Sequence, residues 1–98
     1  MDKQMLEGKV AIVTGASYGM GSTIAEIFAE EGAAVVLTAR HQDKLDAVVS
    51  ELKEKGYRAI GVMADTGSTE DTVRVFEETI KIFGDVDILV NNAGIGEQ

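Results

Sequence analysis

Apolar residues along the chain switch between two spacings. Four short runs are rich in β-branched and small apolar residues: Lys9–Thr14 (KVAIVT), Ala33–Thr38 (AAVVLT), Arg58–Met63 (RAIGVM) and Asp85–Val90 (DVDILV). The first two are continuously apolar, which predicts strands buried on both faces, as in a parallel sheet covered by helices. Between the runs the spacing becomes helical. Met20, Ile24, Ile27 and Phe28 form one stripe, Leu45, Val48, Val49 and Leu52 a second, and Val73, Phe76, Ile80 and Phe83 a third. Polar and charged residues occupy the opposite faces.

The element ends are marked as well. Gly32, Gly56 and Gly84 follow the three helical stretches, where a left-handed C-cap is favoured. Ser68 followed by Asp71 resembles a capping box opening the third helix. Lys53 and Lys55 lie near the end of the second, on the favourable side of its dipole. The predicted order is β-α-β-α-β-α-β in one domain over residues 1–98. It describes an open α/β sheet with right-handed crossovers and about half the strands of a full doubly wound domain.

Composition narrows the partners. Of the 98 residues, 45% are hydrophobic and 27% charged, as in an ordinary globular chain. A net charge of −8 argues against a nucleic-acid partner, although a small anion could still bind locally through backbone N–H groups. With no cysteine and a single histidine, His41, disulfides, thiolate metal sites and a zinc site are not expected. The opening MDKQMLEGK lacks the apolar core of a signal peptide. The longest wholly apolar run, Ala33–Leu37, is too short to span a membrane, so a cytoplasmic protein without membrane contact is expected.

Candidate chemistry lies at the strand ends. Thr14–Gly21 (TGASYGMG) leads from the first strand into the first helix, with glycines at 15, 19 and 21. Gly15 permits a tight turn, Gly19 a close backbone approach to a pyrophosphate, and Gly21 close packing of helix on sheet. The helix N-terminus then offers free N–H groups and the positive end of its dipole to phosphates. A plain glycine-rich turn is the competing interpretation. A P-loop is excluded because no Lys-Ser/Thr pair follows the glycines. Gly15–Gly19 also fits the G-x-S-x-G elbow of serine hydrolases. The acids between Ser17 and His41 (Glu26, Glu30 and Glu31) all lie on or at the end of the first helix, however, and none follows a strand.

After the second strand comes Ala39-Arg40, where dinucleotide sites often carry an acid for the ribose hydroxyls. No acid here would repel a 2′-phosphate, and Arg40 could clasp one, which favours NADP over NAD; a solvated surface arginine is the alternative. After the third strand, Asp65 could accept a hydrogen bond from an adenine amino group or form an Asx-turn before the helix. After the fourth comes Asn91-Asn92-Ala93-Gly94, by itself only a compact turn.

TGASYGMG, Asp65 and NNAG, each directly after a strand, together with the leader LEGKVAIVTGAS, resemble the short-chain dehydrogenase/reductase family from Leu6 to Gly94. The resemblance implies a truncated doubly wound Rossmann fold with strand order 3-2-1-4 and three helices. It places Gly15, Ser17, Tyr18, Gly19, Met20 and Gly21 around the pyrophosphate and adenosine ribose, and Arg40 at the 2′-phosphate. Asp65 and Thr66 would flank the adenine, while Asn91, Ala93 and Gly94 would line the nicotinamide side. NADP-preferring members often carry a basic residue where Tyr18 stands.

The family's catalytic serine and Tyr-x-x-x-Lys pair would lie beyond NNAG. The positions four residues after Tyr18 and Tyr57 hold Ser22 and Gly61. The parent is therefore expected to be an NADP-dependent alcohol/carbonyl oxidoreductase and this chain to be inactive alone. The alternative is a non-catalytic dinucleotide-binding or self-assembling module. An exposed fourth strand, with Val86, Ile88, Leu89 and Val90, is expected to promote self-association.

Overall fold

The computed structural model describes residues 5–16, 19–65 and 67–92. In chain order the elements are β1 (Val10–Thr14), α1 (Gly19–Glu30), β2 (Ala34–Ala39), α2 (Gln42–Glu54), β3 (Ala59–Met63), α3 (Thr69–Phe83) and β4 (Ile88–Val90). The four strands form one parallel sheet in the order β3-β2-β1-β4, the doubly wound arrangement that the sequence implied.

Burial follows strand position. Every residue of β1 and β2 is buried, because these central strands are covered on both faces. The outer strands β3 and β4 alternate instead. One core lies between the sheet and α1 and α2, with Ala11, Val13, Val35 and Leu37 meeting Ala25, Ala29, Leu45 and Leu52. Burying a leucine of this kind contributes about 2 kcal/mol. The opposite face carries a smaller core in which Ile12, Val36 and Ala64 pack under Val75 of α3. No helix among the described residues is long and apolar enough to cross a membrane.

The α2 stripe is as expected, with Leu45, Val49 and Leu52 buried and Val48 packed beside them. The α1 and α3 stripes are corrected. In α1 the buried line is Gly21, Ala25 and Ala29. Ile24 and Phe28 flank it, while Met20 and Ile27 are exposed. Small residues bring this helix close to the sheet, so the larger ones are displaced to its sides. In α3 the buried line is Val75 and Thr79, with Phe76 and Phe83 partly covered and Val73 and Ile80 exposed. Thr79 can be buried because its hydroxyl donates to the Val75 carbonyl at 2.8 Å.

The junctions supply the remaining order. Gly32, Gly56 and Gly84 all take positive φ; Gly84 is the left-handed C-cap of α3, at φ 89°, and its N–H returns to the Ile80 carbonyl. Strand β4 is shorter than the apolar run suggested. The Asp87 carboxylate accepts from the Val10 N–H at 2.9 Å, and the Asp87 N–H donates to the Val10 carbonyl at 2.8 Å, aligning β4 on β1 just before pairing begins. A Lys55–Glu26 ion pair joins the end of α2 to α1, and the Glu26 carboxylate raises the Lys55 pKa above its ordinary value.

Candidate functional site

The carboxyl ends of the four strands share one edge of the sheet. At β1, the chain leaves the buried strand through Gly15, at φ 63°, and enters α1 at Gly19, at φ 65°. Both lie in the left-handed region, where an L side chain strains its own backbone; a Cβ on Gly19 would meet no neighbouring atom within 4 Å. Gly21 serves a different purpose. A Cβ on it would lie 2.2 Å from the Gly15 carbonyl oxygen, 2.8 Å from Asn92 Nδ2 and 3.0 Å from Ala16 Cα. The first turn of α1 thus seats directly against the end of β1.

Two residues that the sequence did not single out hold this contact. Asn92, buried at 9% exposure, donates through Nδ2 to the Gly15 carbonyl at 3.2 Å and through its backbone N–H to Thr14 Oγ1 at 2.8 Å. Thr14 Oγ1 in turn lies 3.3 Å from the Val90 carbonyl and 3.2 Å from Asn91 Oδ1, either of which can accept its proton. The signal was present: a hydroxyl ends an otherwise apolar strand just before the glycine, and the asparagine is doubled at the end of β4. On the other side, the Ala16 N–H donates to the Thr38 carbonyl at 3.0 Å, so β2 also fixes the exit from β1.

The first turn of α1 is free of acids, whereas α2 has Asp43 there and α3 has Glu70 and Asp71. The first-turn N–H groups of a helix have no acceptor within it. Ser22 and Thr23 both turn their hydroxyls back to the Gly19 carbonyl.

Beside this junction lies a cleft of about 430 Å³ whose walls include Ile12, Thr14, Thr38, Ala64, Val75 and Asn91. Thr38 is 1% exposed, and its hydroxyl has no hydrogen-bond partner among the described residues. It is an unspent polar atom in a largely apolar wall. Ala64 also borders a second cleft, lined by Arg40, Met63, Asp65, Asp71 and Arg74.

Local hydrogen bonds shape that second cleft. Asp65 Oδ1 accepts from the Gly67 N–H at 2.9 Å, so the Asx-turn anticipated for this residue is formed. Ser68 Oγ caps α3 by accepting from the Asp71 N–H at 3.2 Å. The capping box is only half made, however: the Asp71 carboxylate accepts from the Asp65 N–H at 2.8 Å instead of returning to Ser68. That bond, with the nearby Arg74 guanidinium, holds the Asp71 carboxyl below its ordinary value.

The sequence-predicted residues therefore fall into two adjoining groups. Gly15, Gly19, Met20, Gly21 and Asn91 surround the β1–α1–β4 junction, although Met20 is 65% exposed and contributes to no core. Arg40 and Asp65 line the second cleft. Ser17, Tyr18, Thr66, Ala93 and Gly94 lie outside the described residues. His41 stands at the N-terminus of α2 without a side-chain capping bond.

Comparison with known proteins places this edge in context. Residues 9–98 match the family model described as short chain dehydrogenase. An uncharacterized oxidoreductase of Bacillus subtilis is 47% identical over 90 residues, covering 92% of this chain and 25% of that protein. Versicolorin reductase 1 of Aspergillus parasiticus is 43% identical over 95 residues, covering 96% of this chain and 36% of the relative. The chain thus spans about a quarter to a third of the curated relatives it matches. The crystal structure of a short chain dehydrogenase from Mycobacterium smegmatis superposes with a TM-score of 0.90 at 39% identity, covering 97% of this chain and 40% of that one.

The contact at Gly21 yields a direct prediction. Gly21→Ala forces its methyl group against the backbone of Gly15 and Ala16 and should destabilise the fold by about 1–3 kcal/mol. Chemical denaturation followed by circular dichroism measures this. An unchanged midpoint would mean that the helix is not seated this closely.

Proposed function

The chain belongs to the short-chain dehydrogenase family, and on that footing we propose that it binds a nicotinamide dinucleotide, NADP in preference to NAD, along the carboxyl edge of its sheet. The observation that carries this is the junction at Gly21. An acid-free helix N-terminus is held directly beside a strand end, against the backbone of Gly15 and Ala16 and the side-chain amide of Asn92, and a helix N-terminus so placed favours a pyrophosphate.

In this reading Gly15, Ser17, Tyr18, Gly19, Met20 and Gly21 surround the pyrophosphate and adenosine ribose. Asp65 and Thr66 take the adenine, and Asn91, Ala93 and Gly94 the nicotinamide side. Thr14 and Asn92 join the assignment as residues that brace the phosphate turn. The residues fit such a ligand: the Gly21 contact leaves no room for a side chain, and Thr38 keeps an unused hydroxyl in the adjoining cleft. Arg40 carries the choice of cofactor. It lines the second cleft, and Ala39 precedes it where an acid would repel a 2′-phosphate.

For the whole protein the proposed activity is NADP-dependent oxidation and reduction of an alcohol/carbonyl pair. The bound dinucleotide would supply the hydride chemistry. The residues assigned here bind and orient; none of them is given a proton to transfer. Residues 1–98 would form the N-terminal part of the dinucleotide-binding domain, and a cytoplasmic location is proposed for the protein.

A second reading, self-association through β4, is favoured by one observation. Leu89 is 52% exposed on the outermost strand among the described residues, between half-buried Ile88 and Val90.

Two measurements follow. Calorimetric titration should show NADPH binding more tightly than NADH, and Arg40→Ala should reduce that preference by about tenfold or more, the worth of a charge-assisted contact. Equal affinities in the parent chain would remove Arg40 from the 2′-phosphate. In sedimentation, the parent chain should associate with rising concentration and Leu89→Lys should remain monomeric; a parent chain that is monodisperse throughout would contradict the association.

A further inference from the structure

We propose that Asp71 is a positioning residue for adenine recognition, acting through Asp65; the inference rests on the assignment of Asp65 to the adenine. A capping-box acid at this position ordinarily returns to the backbone N–H of the N-cap residue. Asp71 does otherwise. Ser68 Oγ takes the Asp71 N–H, but one Asp71 carboxylate oxygen accepts the Asp65 N–H at 2.8 Å. The other lies 3.4 Å from Arg74 Nη2, which also donates to the Met63 carbonyl at 2.8 Å. The end of β3, Asp65 and the first turn of α3 are thus tied together through a single carboxylate.

The consequence for Asp65 is a fixed orientation. Its backbone N–H is held by Asp71, and its Oδ1 by the Gly67 N–H at 2.9 Å. Gly67 closes the arrangement, since a Cβ on it would lie 3.3 Å from the same Oδ1. Oδ2 has no hydrogen bond among the described residues, and Asp65 lines the cleft that Arg40 borders. One carboxylate oxygen is therefore preset as an acceptor before any ligand arrives, which lowers the ordering cost of binding.

An independent feature points to a ligand beside this junction. Thr38 is 1% exposed and its hydroxyl is unpartnered among the described residues; it lines the adjoining cleft together with Ala64, Gly67 and Thr72 from the same β3–α3 junction. The lowered pKa of Asp71, caused first by the Asp65 backbone bond, agrees with the geometry.

The chemistry that a preset acceptor reads is the 6-amino group of a purine. Adenine donates a hydrogen there, whereas hypoxanthine presents a carbonyl oxygen that a carboxylate repels. The test compares binding of NADP with that of its hypoxanthine analogue, to the full 98-residue chain and its variants. The parent chain should prefer adenine by about tenfold or more, and Asp65→Asn should abolish the preference. Asp71→Ala should bring it close to unity, while Asp71→Asn, which keeps an acceptor oxygen for the Asp65 N–H, should retain most of it.

Full preference in Asp71→Ala, with loss in Asp65→Asn, would overturn the role of Asp71 and leave Asp65 at the adenine. An equal loss of both ligands in Asp71→Ala would make its role structural and overturn the inference. No preference in the parent chain, or none lost in Asp65→Asn, would overturn the adenine assignment and this inference with it. Should Asp71→Ala fail to fold, the parent chain still decides. The Asp65 amide proton resonance should shift with an acid titration whose midpoint lies below the ordinary carboxylate value of 3.8; an amide that does not respond overturns the inference.

Discussion

Two neighbouring stretches of chain and one remote from them meet at Gly21 with no room for a methyl group between them. The first turn of α1, the end of β1 and Asn92, just beyond β4, converge there, and Asn92 bonds the Gly15 carbonyl from the neighbouring strand's end. The contact is possible only because α1 lies close to the sheet, and α1 lies close because its buried line is Gly21, Ala25 and Ala29. Close approach aims the N-terminus of the helix at the strand edge, which is where a phosphate can use its free N–H groups. Packing and the proposed binding thus rest on one set of small residues.

The β1–β4 seam completes the arrangement. Asp87 fastens β4 to β1 at one end, and Thr14 with Asn92 fastens the other, so three paired positions suffice to fix the register. β4 is short, yet it leads directly into Asn92, which steadies the glycine turn. Across the sheet, β2 contributes the Thr38 carbonyl to the same turn, while β3 leads into the junction organised by Asp71. The edge is continuous from the Gly15–Gly21 side to the Arg40 side, with Ala64 bordering both clefts.

Much of this was legible in the sequence. Continuous apolar runs identified β1 and β2 as central strands, and the glycines marked the helix ends, because both signals follow from backbone sterics and burial alone. The buried faces of α1 and α3 were less legible. Periodicity weighs large apolar residues, whereas α1 buries glycine and alanine and leaves Met20 and Ile27 exposed, and α3 buries Thr79 in place of Ile80. A close helix–sheet approach selects for small side chains, which a hydrophobic count undervalues. Within the site, Gly15, Gly19 and Gly21 were readable from spacing. The roles of Thr14 and Asn92 were not, since they depend on side-chain hydrogen bonds formed only once β1 and β4 are aligned. Asp71 was recognised as a capping acid, but its turn toward Asp65 depends on where β3 ends.

The central claim is that the Gly15–Gly21 junction receives the pyrophosphate of a nicotinamide dinucleotide. The most direct measurement is residue-resolved amide NMR of the 98-residue chain during titration with NADP. The account predicts the largest shifts at the amides of Gly15, Ala16, Gly19, Met20 and Gly21, with a second group at Arg40 and Asp65. Shifts confined to other surfaces, or none at saturating ligand, would contradict it.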